Sequence, residues 1–329
     1  MNDAVEAPGC MRLIGASLWS PAGSAVEHLL NLRSKLARAN HAQGLRCALM
    51  YTSGWLVRWF EGPAKAVENA WTIVQDEGAR GTRVLHRSIG ESTLTLPVHI
   101  ATLHGMDKAT DFARRLHRIE RLATVGSPAE PREVWHELSA PCQLDQALAA
   151  TFAARRDVVA ITSEHNESVD LLLAIAQRWN SRVSYQRFAE GDARRGDVGA
   201  AYSDLACGNY ITRLQALSRR ALKQNLVRLG LSNMRCLVLL LGKRAQAGAA
   251  LAESAAELLM RMPIPSSVHL VGTDGAALGL AASILRSSPG QQVTQTCVGM
   301  RGSDRLDAVL ELIAGMAPTA TAPLFLELG

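Results

Sequence analysis

The sequence predicts an α/β chain in two parts: an α+β domain built on an antiparallel sheet, then a doubly wound, mostly parallel α/β domain. Three observations predict it. The first ninety residues alternate short apolar runs with two helix-period stretches, in the order β-α-β-β-α-β. The second half holds continuous apolar runs such as DVVAIT (157–162) and CLVLLLG (236–242), as strands buried on both faces require. Between them, Gly126-Ser127-Pro128-Ala129-Glu130-Pro131, with Pro141 beyond, is a boundary signal. The expected divisions are a first domain over 11–122, a linker over 123–142 and a second domain over 143–329.

Bulk composition supports folded domains. The chain has 329 residues, 48% hydrophobic and 20% charged, enough for two ordinary cores and unlike a disordered chain. The net charge of +5 is scattered, which favours a solvated surface or an acidic partner over nucleic acid. The six cysteines, Cys10, Cys47, Cys142, Cys207, Cys236 and Cys297, show no C-x-x-C spacing, so no metal site is expected and a reducing cytoplasm fits. The opening MNDAVEAPGC is not a signal peptide, and no apolar run reaches the ~20 residues that span a bilayer.

In order, Met11–Trp19 reads as a strand, and Ser24 caps a helix over Ala25–Asn40 with Glu27 as its capping-box partner. A hairpin follows, Leu45–Tyr51 and Trp55–Phe60, turning at Thr52-Ser53-Gly54. Arg58 interrupts its second strand, and Glu61-Gly62-Pro63 ends it before the helix Ala64–Gln75. Arg83–Ser88 completes a ferredoxin-like arrangement, four antiparallel strands with two helices on one face. Leu96–Leu103 alternates like an edge strand. His99 and His104, five apart, point to opposite faces and form no metal pair. Lys108–Leu122 reads as a helix whose wet side carries Arg114, Arg115, Arg118 and Arg121. Trp55 and Trp59 are core residues or contacts to a second copy.

The run 36–63 resembles a BLUF domain, the flavin-binding blue-light sensor, through Asn40 before the hairpin, the glycine turn and the closing Trp59-Phe60-Glu61-Gly62-Pro63. The resemblance covers roughly residues 11–120. It places Asn40 on the family's flavin-contacting asparagine, a position that a helix C-cap explains better. It also exposes departures. The family's first-strand tyrosine falls near Leu18, and its third-strand glutamine falls on Arg58. Arg46-Cys47 stands where Thr-Gly is usual, and Glu77-Gly78-Ala79 lacks the basic pair. Leucine can neither donate a hydrogen bond nor pass an electron. Arginine has five donors, no acceptor and a fixed charge, so it cannot replace an amide that must both give and accept. The resemblance therefore implies a degenerate sensor without a photocycle, and FAD is not expected. Arg58 would instead bind another anion or pair with Glu61.

The second half reads as strands 157–162, 182–188, 198–202, 235–241, 268–271, 292–298 and 323–328, alternating with helices, among them a long basic helix over Tyr210–Leu229. Its ligand-binding candidates are two turns. His165 and Ser168 follow the first strand, where a phosphate loop would be, but glycines and lysine are absent and Glu164 and Glu167 would repel phosphate. Gly272 and Gly275 open another helix with the wrong spacing for a dinucleotide fingerprint. Arg219, Arg220 and Lys223 are expected as a solvated or partner-facing stripe. No catalytic constellation is evident. The expectation is a cytoplasmic regulatory protein acting through a protein partner, a second copy included. The alternatives are a nucleotide-binding switch or enzyme in 143–329, whose ligand, if any, could equally be cobalamin or haem, and a nucleic-acid-binding transcriptional regulator.

Overall fold

The computed structural model describes residues 9–76, 80–105, 107–125, 129–162, 167–191, 196–231, 234–261, 267–286, 292–299 and 301–315. The chain forms two compact units. Unit 1 gathers residues 1–141, 184–200 and 220–232, and unit 2 gathers 142–183, 201–219 and 233–329.

Unit 1 opens with β1 (Cys10–Leu18), α1 (Ala25–Ala42), β2 (Arg46–Thr52), β3 (Trp55–Gly62), α2 (Ala64–Asp76) and β4 (Arg83–Gly90). The sheet order β4-β1-β3-β2 is the ferredoxin-like one, with every neighbour antiparallel. Ser24 Oγ accepts the Glu27 N–H to start α1, as its capping signal predicts. Ser53 and Gly54, both at positive φ, turn the hairpin. Strand alternation sorts the side chains. Met11 and Leu13, Cys47 and Leu49, and Leu56 and Phe60 share a face with Leu29 of α1 and Val67, Trp71 and Val74 of α2.

The sheet extends further than expected. β5 (Val98–His104) is an interior strand, not an edge: it runs parallel to β2 and antiparallel to β7 (Ser184–Glu190). His99 is fully buried there, its Nε2 accepting the Leu96 N–H while Nδ1 faces Glu190 at 3.3 Å. α3 (Ala109–Val125) and α4 (Pro131–Ser139) meet the opposite sheet face, where Trp55 packs on Phe112 and Trp59 on Trp135. The segment read as a linker thus contains a packed helix: Pro131 is its first residue and Val134, Trp135 and Leu138 are buried.

Unit 2 comprises α5 (Gln146–Ala149), β6 (Ala154–Thr162), α6 (Glu167–Arg178), most of β8 (Val198–Cys207) and β9 (Tyr210–Ser218), and after α7 (Asn225–Gly230, in unit 1) continues with β10 (Met234–Leu241), α8 (Ala245–Leu259), β11 (Ser267–Gly272), α9 (Gly275–Arg286), β12 (Gln292–Cys297) and α10 (Gly302–Gly315). Its strand order is β12-β11-β10-β6-β9-β8, and β12, β11, β10, β6 and β9 are parallel. Taking the parallel strands in chain order gives 2-1-3-4-5, the doubly wound order with a switch point between β6 and β10. α6 and α10 pack on the face of Val158, Cys236, Val238 and Leu240, while Leu241, on the other face, meets α8 at Gly248. Helices therefore cover both faces, as the apolar strands require. The strand read over 323–328 lies outside the described residues.

One expectation is overturned here. Residues 210–229 are not a basic helix but strand β9, a 3-10 turn over Ala221–Lys223 and the six-residue α7. Gly208, at φ +55°, turns β8 back into β9, and Ile211 and Thr212 favour the extended chain. Arg213, a basic residue of that expected helix, is fully buried, and its carboxylate partner Asp204 lies across the hairpin. The nucleic-acid reading loses the helix on which it rested.

Candidate functional site

The place to look for a ligand in unit 1 is the sheet face under α1 and α2, where Arg58 points. Leu56, Arg58 and Phe60 alternate onto that face, and the register sets Gly15 opposite Arg58 and Ser17 opposite Leu56. Leu18 is not the residue facing Arg58. It pairs with Trp55 and is 43% exposed, so the first-strand positions within reach are Gly15 and Ser17. Arg58 is 8% exposed, and its Nη1 donates to Ser17 Oγ at 2.7 Å and to Leu56 O at 3.4 Å. Glu61, the acid expected beside Arg58, alternates to the other face. There its Oε2 accepts from the Ser92 hydroxyl and the N–H groups of Thr93 and Leu94.

Gly15 is a close-approach glycine. A Cβ added there would overlap Cη2 and Cζ3 of Trp71 and lie 2.9 Å from Arg83 O. The Trp71 indole, carried on α2 and buried, therefore rests on the bare backbone beside Arg58. Asn40 is also committed: its Nδ2 donates to Pro97 O at 3.0 Å and to Cys47 Sγ at 3.2 Å, while its backbone O accepts Leu45 N–H at 2.9 Å. Burial pushes the Cys47 thiol up to about 12, so the sulfur accepts as a neutral group. An indole thus covers the Gly15 backbone, a guanidinium lies on the same face bonded to Ser17, and the asparagine pins two loops.

Trp55 and Trp59 are core residues. Trp55 Nε1 donates to Ala109 O at 3.3 Å, and Trp59 is fully buried, so neither offers a surface to a second copy.

Unit 2 repeats the pattern with charge. At the switch point, Glu167 Oε2 accepts from Thr162 Oγ1 at 3.2 Å and pairs with Arg305 Nη1 at 3.1 Å, while Arg305 Nη2 donates to Leu241 O at 3.1 Å. The pair thus bridges the carboxyl ends of β6 and β10, where a doubly wound sheet receives its ligand. Ser168 is buried with Oγ on Leu217 O at 2.9 Å, holding α6 to β9. Gly272 allows close packing: a Cβ there would lie 3.2 Å from Leu241 Cβ. Gly275 begins α9, whose first amides are taken by Asp274, with Oδ1 accepting from Ala276 at 2.8 Å and Ala277 at 3.2 Å. His165 lies outside the described residues. Arg219 and Arg220 follow β9 in a turn, and Lys223 closes the 3-10 turn.

Sequence reasoning missed Gly15, Ser17, Trp71 and Arg305. Gly15, inside a strand, was the available signal; Arg305 lies 138 positions from Glu167 and gave none. No group of three or more metal-ligating side chains occurs among the described residues, nor any helix long and apolar enough to cross a membrane.

No family model matches the chain, and no curated protein matches it. Among solved structures, it is similar to the BLUF proteins BlsA in its ground state (15% identity, 41% of this chain, 91% of that one, TM-score 0.29) and BlrB in its dark state (15%, 36% and 87%, 0.27). It is also similar to a small COPII-coat GTPase from Encephalitozoon cuniculi in complex with GDP (10%, 56% and 86%, TM-score 0.29). At such scores these likenesses carry no argument, and the mixed α/β fold rests on the strand order and register above.

Proposed function

We propose that this chain is a cytoplasmic regulatory protein of BLUF-like build that senses no light and works by protein–protein contact. The observation that carries the reading is Trp71 resting on Gly15 beside the Arg58–Ser17 hydrogen bond. A group that must hydrogen-bond to those strand positions has its space filled by the protein's own side chains. The absorption spectrum of the purified full chain tests this. The expected result is no flavin band, and no thermal stabilisation by FAD or FMN. A yellow protein with a reversible red shift under blue light would sink the reading.

A second reading, a nucleotide-dependent switch in unit 2, draws on the 2-1-3-4-5 strand order, which presents a crevice at the switch point. Glu167 and Asp274 weigh against it, since each places a carboxylate where a phosphate would sit. Stabilisation by ATP or GTP with magnesium, lost on changing Thr162 or Arg305, would favour the switch.

A further inference from the structure

On β4, away from the face of Arg58, two side chains of unit 1 stand as a nucleophile and a base would. The register sets His86 opposite Ile14 and Ser88 opposite Arg12, so both turn to the α4 face of the sheet. His86 Nε2 lies 2.7 Å from Ser88 Oγ. That oxygen already accepts from Arg12 Nε at 3.0 Å, which leaves its own hydrogen for the imidazole. The ring in turn donates to the backbone of Ala129, so Nε2 is the nitrogen left to accept. Burial first, then the Arg12 charge, lowers the pKa of His86 against the opposing pull of Glu130 and the Ala129 bond, and the imidazole is neutral at pH 7.

Arg12 is held in place as well. Its Nη1 pairs with Glu130 at 3.0 Å, and its Nη2 lies against Gly90, where a Cβ would stand 2.6 Å away. Nη2 makes no hydrogen bond among the described residues. His86 also lines a groove of about 700 Å³ between β4, α3 and α4, with Leu85, Ile119, Leu122 and Val134 among its apolar walls. Of the charged side chains there, Arg118 pairs with Glu137 and Glu133 accepts the Glu130 N–H, which leaves Arg87 exposed. Ser88 is half-buried and stands one hydrogen bond from the groove wall.

We propose that Ser88 and His86 form a nucleophile–base pair that hydrolyses esters of short, uncharged carboxylic acids. Ser88 Oγ attacks the ester carbonyl carbon while its proton passes to His86 Nε2. The carbonyl oxygen takes the negative charge beside the Arg12 guanidinium, whose Nη2 is the available donor. The carbon–alkoxide bond then breaks, and His86 returns the proton to the leaving alcohol. Water attacks the acyl-serine, giving a proton to His86, and the carboxylic acid leaves as Ser88 recovers its hydrogen. The apolar groove suits the acyl chain. The proposal goes beyond the interaction reading and does not rest on it.

p-Nitrophenyl butyrate, incubated with the purified full chain, tests it by two readouts: nitrophenolate release, and peptide mass spectrometry to locate the butyryl group. The expected adduct is on Ser88 of the parent chain, an outcome that needs no variant to fold. Ser88→Ala should abolish that adduct, and His86→Gln should slow release at least ~100-fold, the scale of a lost general base. Release by the parent should fall with pH through a value below the ordinary imidazole pKa of ~6.5, as the base becomes protonated. No adduct, an adduct only on other residues, or release unchanged in both variants would each overturn the proposal. None of these outcomes bears on flavin, whose uptake would sink the light-insensitive reading and leave this one intact.

Discussion

In unit 1 an indole lies on the glycine backbone beside Arg58, whereas in unit 2 the switch point is spanned by Glu167 and Arg305, an ion pair with side chains one third and one fifth exposed. The physical consequences differ. An apolar plug is held by dispersion and exclusion of water, is insensitive to salt, and leaves a cavity when removed. A partly exposed ion pair is weak, screened, and open to competition by another anion. Bulk closure is therefore close to permanent, while charge closure keeps the means of opening.

The largest effects should come from buried charge elsewhere in unit 2, and they bound the comparison. Arg213 and Asp204, both fully buried, meet through two bonds of 2.7 Å, and the guanidinium lies 4.4 Å from the Tyr202 ring. The surrounding carboxylates hold Arg213 firmly in its charged form. Asp204→Ala leaves that cation buried and should cost about 3–5 kcal/mol in urea unfolding. A loss below ~1 kcal/mol would mean that charge is not what holds this hairpin.

Trp71→Ala tests closure by bulk. It should cost roughly 3–5 kcal/mol, the range for a large core aromatic. Gly15→Ala in the parent chain should cost ~1–3 kcal/mol through overlap with the indole, and much less in the Trp71→Ala background. Additive losses in that double-mutant cycle would show that Trp71 does not rest on Gly15.

Much of the fold was readable because it follows local rules: Ser24 caps α1, Gly54 turns the hairpin, and CLVLLLG is buried on both sides. The misreadings have physical causes too. In 210–222 the leucines and alanines at 214, 217, 221 and 222 suit a helical stripe, yet 212, 214 and 216 also suit a strand. The deciding signal was Gly208-Asn209, a turn sequence. Pro131 looked like a linker residue because proline both breaks and begins helices. The filled sites were unreadable because Trp71 on Gly15 and Arg305 on Glu167 are contacts that only the folded chain brings together.

Asp157, at the opposite end of β6 from the crevice, offers a smaller test of how unit 2 tolerates charge. Burial raises its pKa despite Arg155 and Arg213 nearby. A carboxyl whose folded pKa lies above its unfolded value of ~3.9 favours the folded state fully below that value, and this contribution is lost as pH rises through the folded pKa. Asp157→Asn should therefore raise the urea midpoint at neutral pH, with the gain vanishing below about pH 4. A variant less stable than the parent at pH 7 would mean that the Arg155 contact, at 3.0 Å, outweighs desolvation.

The smallest effect on stability carries the sharpest reading of the comparison. Glu167→Gln keeps the shape of the plug and the bond to Thr162 but removes its charge. For a partly exposed pair the loss should be about 0.2–1 kcal/mol, shrinking further in salt. The same substitution leaves Arg305, still anchored on Leu241 O, without the carboxylate that neutralises it. If charge alone shuts the crevice, inorganic triphosphate should raise the melting temperature of Glu167→Gln and leave the parent unchanged. If neither protein responds, the crevice is closed by packing as Gly15 is, and the distinction between the two units disappears.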